Sequence, residues 1–85
     1  MSIKVINHQA TCANIFRIMK EKGLTPVDVQ KRLGFASVQG VYKWKFIAEG
    51  RPNCKGLPST DTLFLLADLF KVSVYDIVEF NNVNI

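Results

Sequence analysis

The feature that most constrains this chain is a pair of helix signals on either side of Gly34. Thr25 can cap a helix, Pro26 suits its first turn, and Asp28 lies where a carboxylate meets unpaired backbone N–H groups. Gly34 favours the left-handed conformation that ends helices, and Ser37 can cap the next helix. The pattern predicts helices 2 and 3 joined by about three residues, which makes a tight helix corner.

The other signals predict three more helices and no convincing strand. Apolar residues at helical spacing follow Thr11, and Gly23 is placed to end this first helix. Residues 46–58 contain two glycines and two prolines, which indicates a loop. A fourth helix begins near Ser59 and is apolar nearly all round, so its second side is expected to meet a partner subunit. Ser73 begins a short fifth helix with a capping box.

These elements predict an all-α fold of five helices in one domain. We expect an N-terminal arm at residues 1–10 that is a short strand or loose, a helical domain at residues 11–80, and a flexible tail at residues 81–85. An 85-residue chain that is 48% hydrophobic can bury one core, so we expect these residues to form one small domain.

The composition excludes several classes of protein. Residues 1–10 lack the apolar core of a signal peptide, and no apolar run approaches the ~20 residues of a membrane span. We therefore expect a soluble, cytoplasmic chain with no membrane partner. Cys12 and Cys54 are expected to be free thiols, and a single histidine without a CxxC pair predicts no metal and no cofactor. The sequence has no nucleophile–base set and no glycine-rich phosphate loop, so catalysis is not expected.

Helix 3 is predicted to have one apolar and one polar side. At roughly 100° per residue, Val41, Trp44 and Val38 fall together and form the buried stripe. The opposite side presents an amide, a phenol, an ammonium and an aromatic ring, from Gln39, Tyr42, Lys43 and Phe46. Amide, ammonium and phenol groups on a helix can contact base edges in the major groove of DNA. The alternative is a solvated helix face that carries these residues by chance.

Gly40 lies in the middle of this helix, where glycine costs about 1 kcal/mol. It permits a close approach either by helix 2 or by a DNA backbone. Packing is the favoured explanation, because Gly40 falls beside Trp44 on the helical wheel.

Basic residues are concentrated in the same part of the chain. The net charge is +4, and Glu49 is the one acid within residues 31–55. The basic cluster of that span consists of Lys31, Arg32, Lys43, Lys45, Arg51 and Lys55. Acidic residues resume in the C-terminal third, from Asp61 onward. This polarity favours a polyanionic partner over a solvated surface.

Several short segments together resemble one family over about residues 12–80. They are Asn14-Ile15, Gly23-Leu24-Thr25, Leu33-Gly34-Phe35, Gln39, Val41-Tyr42-Lys43-Trp44, Leu57-Pro58-Ser59, Leu63, Leu66-Ala67, Phe70 and Val72-Ser73-Val74. The set resembles the XRE family, the phage-repressor-like helix-turn-helix transcriptional regulators of bacteria and phages. The resemblance implies a compact, five-helix, lambda-repressor-like domain with its helix-turn-helix at helices 2 and 3.

The resemblance also implies double-stranded DNA as the partner, with helix 3 in the major groove. The residues expected to contact bases are Val38, Gln39, Tyr42 and Lys43. The resemblance and the basic cluster together predict which residues contact phosphates: Thr25, Lys31, Ser37, Lys45, Arg51 and Lys55. Members of the family usually act as homodimers on inverted repeats. We expect a repressor whose dimer forms through helices 4 and 5.

Three departures from the family pattern bear on this expectation. Pro26 stands where helix 2 usually opens with a phosphate-binding glutamine, which puts that contact in doubt. Met19 replaces an arginine that is common in helix 1. The loop at residues 45–56 is several residues longer than usual; its Arg51 and Lys55 either contact DNA or belong to a tolerated surface insertion.

Pro26 and the all-round apolar fourth helix motivate a second functional hypothesis. On this alternative the chain is an antitoxin or protein-interaction adaptor that keeps the fold and binds a toxin or another protein instead of DNA.

Overall fold

The structure, a computed structural model, describes residues 1–84. Its elements in chain order are β1 (Ser2–Ile6), α1 (His8–Glu21), α2 (Pro26–Leu33), α3 (Gln39–Ala48), α4 (Thr60–Phe70), α5 (Val74–Ile77) and β2 (Phe80–Asn84).

The prediction of an all-α fold is wrong, because the five helices are accompanied by a two-stranded antiparallel sheet. β1 pairs with β2 in the register that sets Ile3 opposite Val83 and Ile6 opposite Phe80. For the N-terminal arm, the strand alternative is confirmed over residues 2–6, whereas residues 80–84 form a strand where a flexible tail was expected; the last tail residue, Ile85, lies outside the described residues.

Polar side chains at the base of the sheet connect the strands to α1. The Asn7 backbone N–H donates to the Glu79 carbonyl at 2.7 Å, and the Asn7 amide donates to the Asn81 side-chain oxygen at 3.3 Å. The Glu79 N–H in turn donates to the buried hydroxyl of Thr11 at 3.0 Å. These bonds give β2 a defined position that its asparagine-rich sequence does not predict, because asparagine is depleted in strands.

The helix boundaries differ from the predicted ones at two places. α1 begins at His8 rather than Thr11, because the Asn7 side chain accepts the Ala10 N–H at 2.9 Å and caps the helix earlier. α3 begins at Gln39 and continues to Ala48, beyond the predicted end near Phe46. The predicted caps Thr25 and Ser73 are confirmed, each in a capping box.

All five helices contribute residues to the core. α1 packs against α3 and α5, α2 packs against α3 and α4, and α4 packs against α5. Its buried apolar residues are Cys12, Ile15, Ile18, Met19, Val29, Val41, Trp44, Ile47, Leu63, Leu66, Ala67, Phe70, Ile77 and Val78. Met19 is buried in this core, and an arginine at this position would require a buried partner.

Within residues 1–84, no helix has both the length and the apolar character that crossing a bilayer requires.

Candidate nucleic-acid interface

The turn between α2 and α3 is held by backbone and side-chain hydrogen bonds. Gly34 adopts the left-handed conformation, with φ of 74°, and ends α2 as predicted. The Gln30 side chain donates to the Phe35 carbonyl at 2.6 Å, and the Phe35 N–H donates to the Gln30 carbonyl at 3.0 Å. Residues 34–38 form the connection, which is longer than the predicted turn. We call α2, this connection and α3 the α2–α3 corner.

The apolar side of α3 is buried as the helical wheel predicts. Val41 and Trp44 are confirmed as core residues, and Val38 is half-buried against them. The Trp44 ring packs edge-on against Phe35, with centroids 5.9 Å apart. Ile47 is also buried; sequence reasoning ended the helix too early to include it, although it lies three residues after Trp44 on the same side.

The opposite side of α3 presents Gln39, Tyr42 and Lys43 to the surface, all exposed. Lys45 is exposed as well, and its ammonium lies 5.9 Å from the centre of the Tyr42 ring. Phe46 differs from its predicted outward position, because it is half-buried beneath the Arg51 guanidinium, 4.4 Å from the ring centre.

All six residues of the basic cluster are exposed, but they differ in whether an acidic side chain lies close to them. Arg51 pairs with the Glu49 carboxylate at 2.9 Å, and within residues 1–84 it is the one member with a carboxylate in salt-bridge range. Its charge is therefore partly neutralised, which weakens the case for a phosphate contact. Lys31 and Arg32 flank Asp28 closely enough to influence its titration.

The start of α2 is closed to an anion by its own capping box. The Thr25 N–H donates to the Asp28 carboxylate at 2.8 Å, and the Asp28 N–H donates to the Thr25 hydroxyl at 3.1 Å. Pro26 supplies no N–H at the next position. A phosphate near Thr25 would meet a carboxylate where it needs donors, so this expected contact is disfavoured.

Hydrogen bonds from the backbone and side chain of Thr25, followed by the nearby Arg32 and Lys31 charges, lower the pKa of Asp28 from its ordinary value of 3.8. A carboxyl whose pKa is lower in the folded state stabilises the fold above its unfolded pKa, and this contribution is lost as the pH falls through the folded pKa. We expect Asp28→Asn to reduce the urea midpoint at neutral pH and to match the wild type once the pH is below the lowered pKa. Asp61→Asn, in the first turn of α4, is a control without this paired cap.

The start of α3, unlike the start of α2, is not capped by a carboxylate. Val38 occupies the cap position without a side-chain hydrogen bond, and the first turn holds no acidic residue. The prediction that Ser37 caps α3 is wrong, because the helix begins one residue further along than that cap requires. Ser37 is exposed and directly precedes this cap, and a helix N-terminus favours anions.

A groove of about 400 Å³ runs along this end of α3. Ser37, Gly40 and Lys43 line one side, and Pro58 and Ser59 at the start of α4 line the other. The groove brings together two predicted contact residues, Ser37 and Lys43, with an unobstructed stretch of helix backbone at Gly40.

Helix packing does not require a glycine at position 40, contrary to the favoured explanation. A Cβ added there would have its nearest neighbour, the Phe35 ring, at 3.9 Å, which is ordinary contact, and Gly40 is exposed. The other explanation, the approach of a DNA backbone, stays a prediction.

Gly40→Ala separates stability from binding. We expect it to stabilise the fold by about 0.5–1 kcal/mol through its higher helix propensity, and to weaken DNA binding by obstructing the groove. Urea unfolding and a DNA titration on the same sample check both effects. Unchanged DNA affinity would show that nothing approaches this position closely.

The long loop after α3 folds back onto the start of α1. The Gln9 amide donates to the Ala48 carbonyl at 3.3 Å, and Gly50, with φ of 73°, passes so close that an added Cβ would lie 2.9 Å from the Gln9 nitrogen. Arg51 and Lys55 line a pocket together with His8. The sequence did not indicate that His8 joins these two residues, because 43 positions separate it from Arg51.

Neither cysteine lies in a disulfide. Burial raises the pKa of Cys12 to about 11, so its thiol stays protonated at neutral pH. Residues 1–84 contain no group of three histidine, cysteine or acidic side chains that could hold a metal.

No protein-family model, no curated protein and no solved structure matches this chain. What the α2–α3 corner does is therefore inferred from its own residues.

Proposed function

We propose that this chain is a sequence-specific double-stranded DNA-binding transcriptional regulator of the XRE type, acting as a repressor. The observation that carries the proposal is the orientation of α3. Burial of Val41 and Trp44 turns Gln39, Tyr42 and Lys43 outward, next to a helix start that no acidic side chain closes.

In this proposal α3 lies in the major groove, whose width admits a helix. Gln39 reads adenine through a two-point amide contact, and Lys43 reads guanine O6 or N7. Tyr42 contacts a thymine methyl group or donates to a phosphate. Val38, which is half-buried, contributes at most one edge of its side chain to a base.

The phosphate contacts of the proposal come from both ends of α3. Ser37 and the first N–H groups of α3 hold one phosphate beside the groove at Gly40. Lys45 and Lys55 supply exposed ammonium groups, and Lys31 adds a third from α2. Contacts of this kind set the register on DNA and carry no sequence information.

The repressor acts as a homodimer on an inverted repeat, and it blocks polymerase by occupying the site. Large apolar side chains exposed on α4 and α5 support this partner surface: Phe64 is 60% exposed, Leu65 49% and Tyr75 77%. Exposed apolar groups of this size on a small domain favour contact with another protein.

Salt dependence of duplex binding tests the proposal. Each phosphate neutralised by a basic side chain releases counterions, so the logarithm of the binding constant should fall with the logarithm of salt by about 0.9 per contact. We expect a slope of several units on DNA selected from a random pool, and a consensus with two half-sites about one turn apart. Failure of the wild-type protein to bind any duplex at low salt would contradict the proposal.

The same exposed residues favour a second candidate function, an antitoxin or adaptor that binds another protein. The capped start of α2 is consistent with it, since the Thr25 and Asp28 N–H groups there are already bonded to side chains and the Asp28 carboxylate would repel a phosphate. Copurification with a protein partner, with no duplex selected from the pool, would favour this candidate.

A further inference from the structure

The start of α1 and the loop after α3 line a pocket of about 360 Å³, which we call the α1–loop pocket. Three of its side chains carry or can carry a positive charge: His8 from the first turn of α1, and Arg51 and Lys55 from the loop. The pocket also presents the side-chain amides of Gln9 and Asn53, and none of the residues within 1–84 that line it is acidic. Its volume is at the lower end of the range for pockets that hold small molecules.

The Arg51 guanidinium makes two contacts that leave its outer edge free. Its Nε donates to the Glu49 carboxylate at 2.9 Å, and its central carbon lies 4.4 Å from the centre of the Phe46 ring. Within residues 1–84, its two terminal nitrogens donate no hydrogen bond. Glu49, which is not among the lining residues, offsets part of the Arg51 charge but leaves a pair of N–H donors that fits two oxygens of one anion.

The loop holds its shape against α1 through local backbone geometry. Gly50 passes so close to α1 that an added Cβ would lie 2.9 Å from the side-chain nitrogen of Gln9. Asn53 adopts the left-handed conformation, with φ of 64°, which asparagine tolerates better than most residues. The Cys54 N–H donates to the Arg51 carbonyl at 3.2 Å and closes the turn between them. The pocket is therefore formed in the free chain, and a ligand needs little rearrangement of the loop.

We propose that the α1–loop pocket binds a small phosphate monoester that carries free hydroxyl groups, such as a sugar phosphate. A monoester phosphate has a charge of about −1.5 to −2 at neutral pH, which suits a site with the cations of Arg51 and Lys55, whereas each phosphate of DNA carries one negative charge. The first turn of α1 contains no acidic residue, so the helix dipole adds to the positive potential beside His8. The His8 imidazole has an N–H to donate in either protonation state.

The rest of the lining favours a hydroxylated ligand over a nucleotide. The amides of Gln9 and Asn53 can both donate to and accept from hydroxyl groups. Within residues 1–84, the lining includes no phenyl, phenol or indole ring on which a nucleobase could stack.

This site goes beyond the proposed function, because binding of the monoester does not require DNA. Of the residues that the proposed function assigns to DNA, Lys55 alone also lines the α1–loop pocket. A bound monoester would occupy Lys55 and compete with a DNA phosphate for that one contact.

An NMR titration of the isotope-labelled chain with glycerol phosphate tests the site in the absence of DNA. We expect saturable shifts of backbone amides around the pocket, at Gln9, Gly50, Asn53 and Lys55. Dimethyl phosphate is the matched diester, with the single charge of a DNA phosphate, and it should bind at least about tenfold more weakly at the same ionic strength. Equal binding of the diester would assign the pocket to the DNA backbone and overturn the proposal.

Single substitutions supply the second measurement. Arg51→Gln should weaken glycerol phosphate binding by about tenfold or more, because it removes a charge-assisted pair of hydrogen bonds, and Lys55→Gln should weaken it in the same direction. Lys20→Gln is the matched control: it removes one exposed positive charge about 18 Å along α1 from His8, at 1.5 Å per residue, and it should change little.

Three results would overturn the proposal. They are the absence of saturable shifts, shifts at the start of α3 in place of the pocket, and equal weakening by Arg51→Gln and Lys20→Gln. All three substituted side chains are exposed, so far-UV circular dichroism should be unchanged. If Arg51→Gln nevertheless disrupts the fold, the comparison of Lys55→Gln with Lys20→Gln decides.

Discussion

Replacing Gln39 and Lys43 together with alanine should remove sequence preference in DNA binding while leaving the protein folded. Both side chains are exposed on α3, and neither makes a hydrogen bond or ion pair within residues 1–84 that the fold depends on. Each good base contact discriminates against the wrong base by about 1–3 kcal/mol. The double variant should therefore lose roughly one to four powers of ten in the ratio of specific to non-specific affinity.

Competition titrations with the selected duplex and a scrambled duplex measure this ratio. The double variant Lys20→Ala and Lys22→Ala is the control, because both lysines are exposed at the end of α1 and neither belongs to α3. It removes more charge than the test variant, so its general affinity falls through lost electrostatics, yet its sequence ratio should persist. If the test variant kept the wild-type ratio of specific to non-specific affinity, the proposal that α3 contacts bases would be wrong.

Trp44→Ala should cost the fold about 3–5 kcal/mol. Trp44 is 6% exposed and packs against Phe35 across the α2–α3 corner, so its removal leaves a cavity where the two helices meet. Domains are stable by only about 5–15 kcal/mol in total, so the variant should be partly unfolded near physiological temperature and should lose DNA binding as a consequence.

Urea unfolding followed by far-UV circular dichroism measures this loss. Trp44 is the one tryptophan of the sequence, so wild-type fluorescence reports directly on its burial and should shift to the red on unfolding. Phe64→Ala provides the matched control: it also deletes a large ring, but from a side chain that is 60% exposed, and it should cost far less. Equal losses in the two variants would contradict the core position of Trp44.

Much of the helical framework could be predicted from local sequence. The capping boxes at Thr25 and Ser73 and the left-handed Gly34 depend on neighbouring residues only, so short patterns identify them. The burial of Val41 and Trp44 follows from helix periodicity in the same way.

Other features could not be predicted because they depend on residues far apart in sequence. The sheet joins residues 2–6 to residues 80–84, and asparagines make β2 a poor strand by composition. The backbone bond from Asn7 to Glu79 is another long-range feature, whereas the Asn7 cap on the Ala10 N–H is local and could have been predicted from the sequence. Sequence reasoning likewise did not place His8 beside Arg51 and Lys55.

The features of the candidate site also separate into those that local sequence predicts and those that depend on the folded structure. The sequence by itself determined which side of α3 is polar, because a helix of known period and a fixed set of apolar residues leave one choice. Only the tertiary structure decided which of the predicted contacts are open to a ligand. It set the start of α3 beside the start of α4 in one groove, and it placed the loop after α3 against α1, where Arg51 and Lys55 line a pocket with His8. Those outcomes depend on the distances between side chains in the folded chain, which residue spacing along the sequence does not specify.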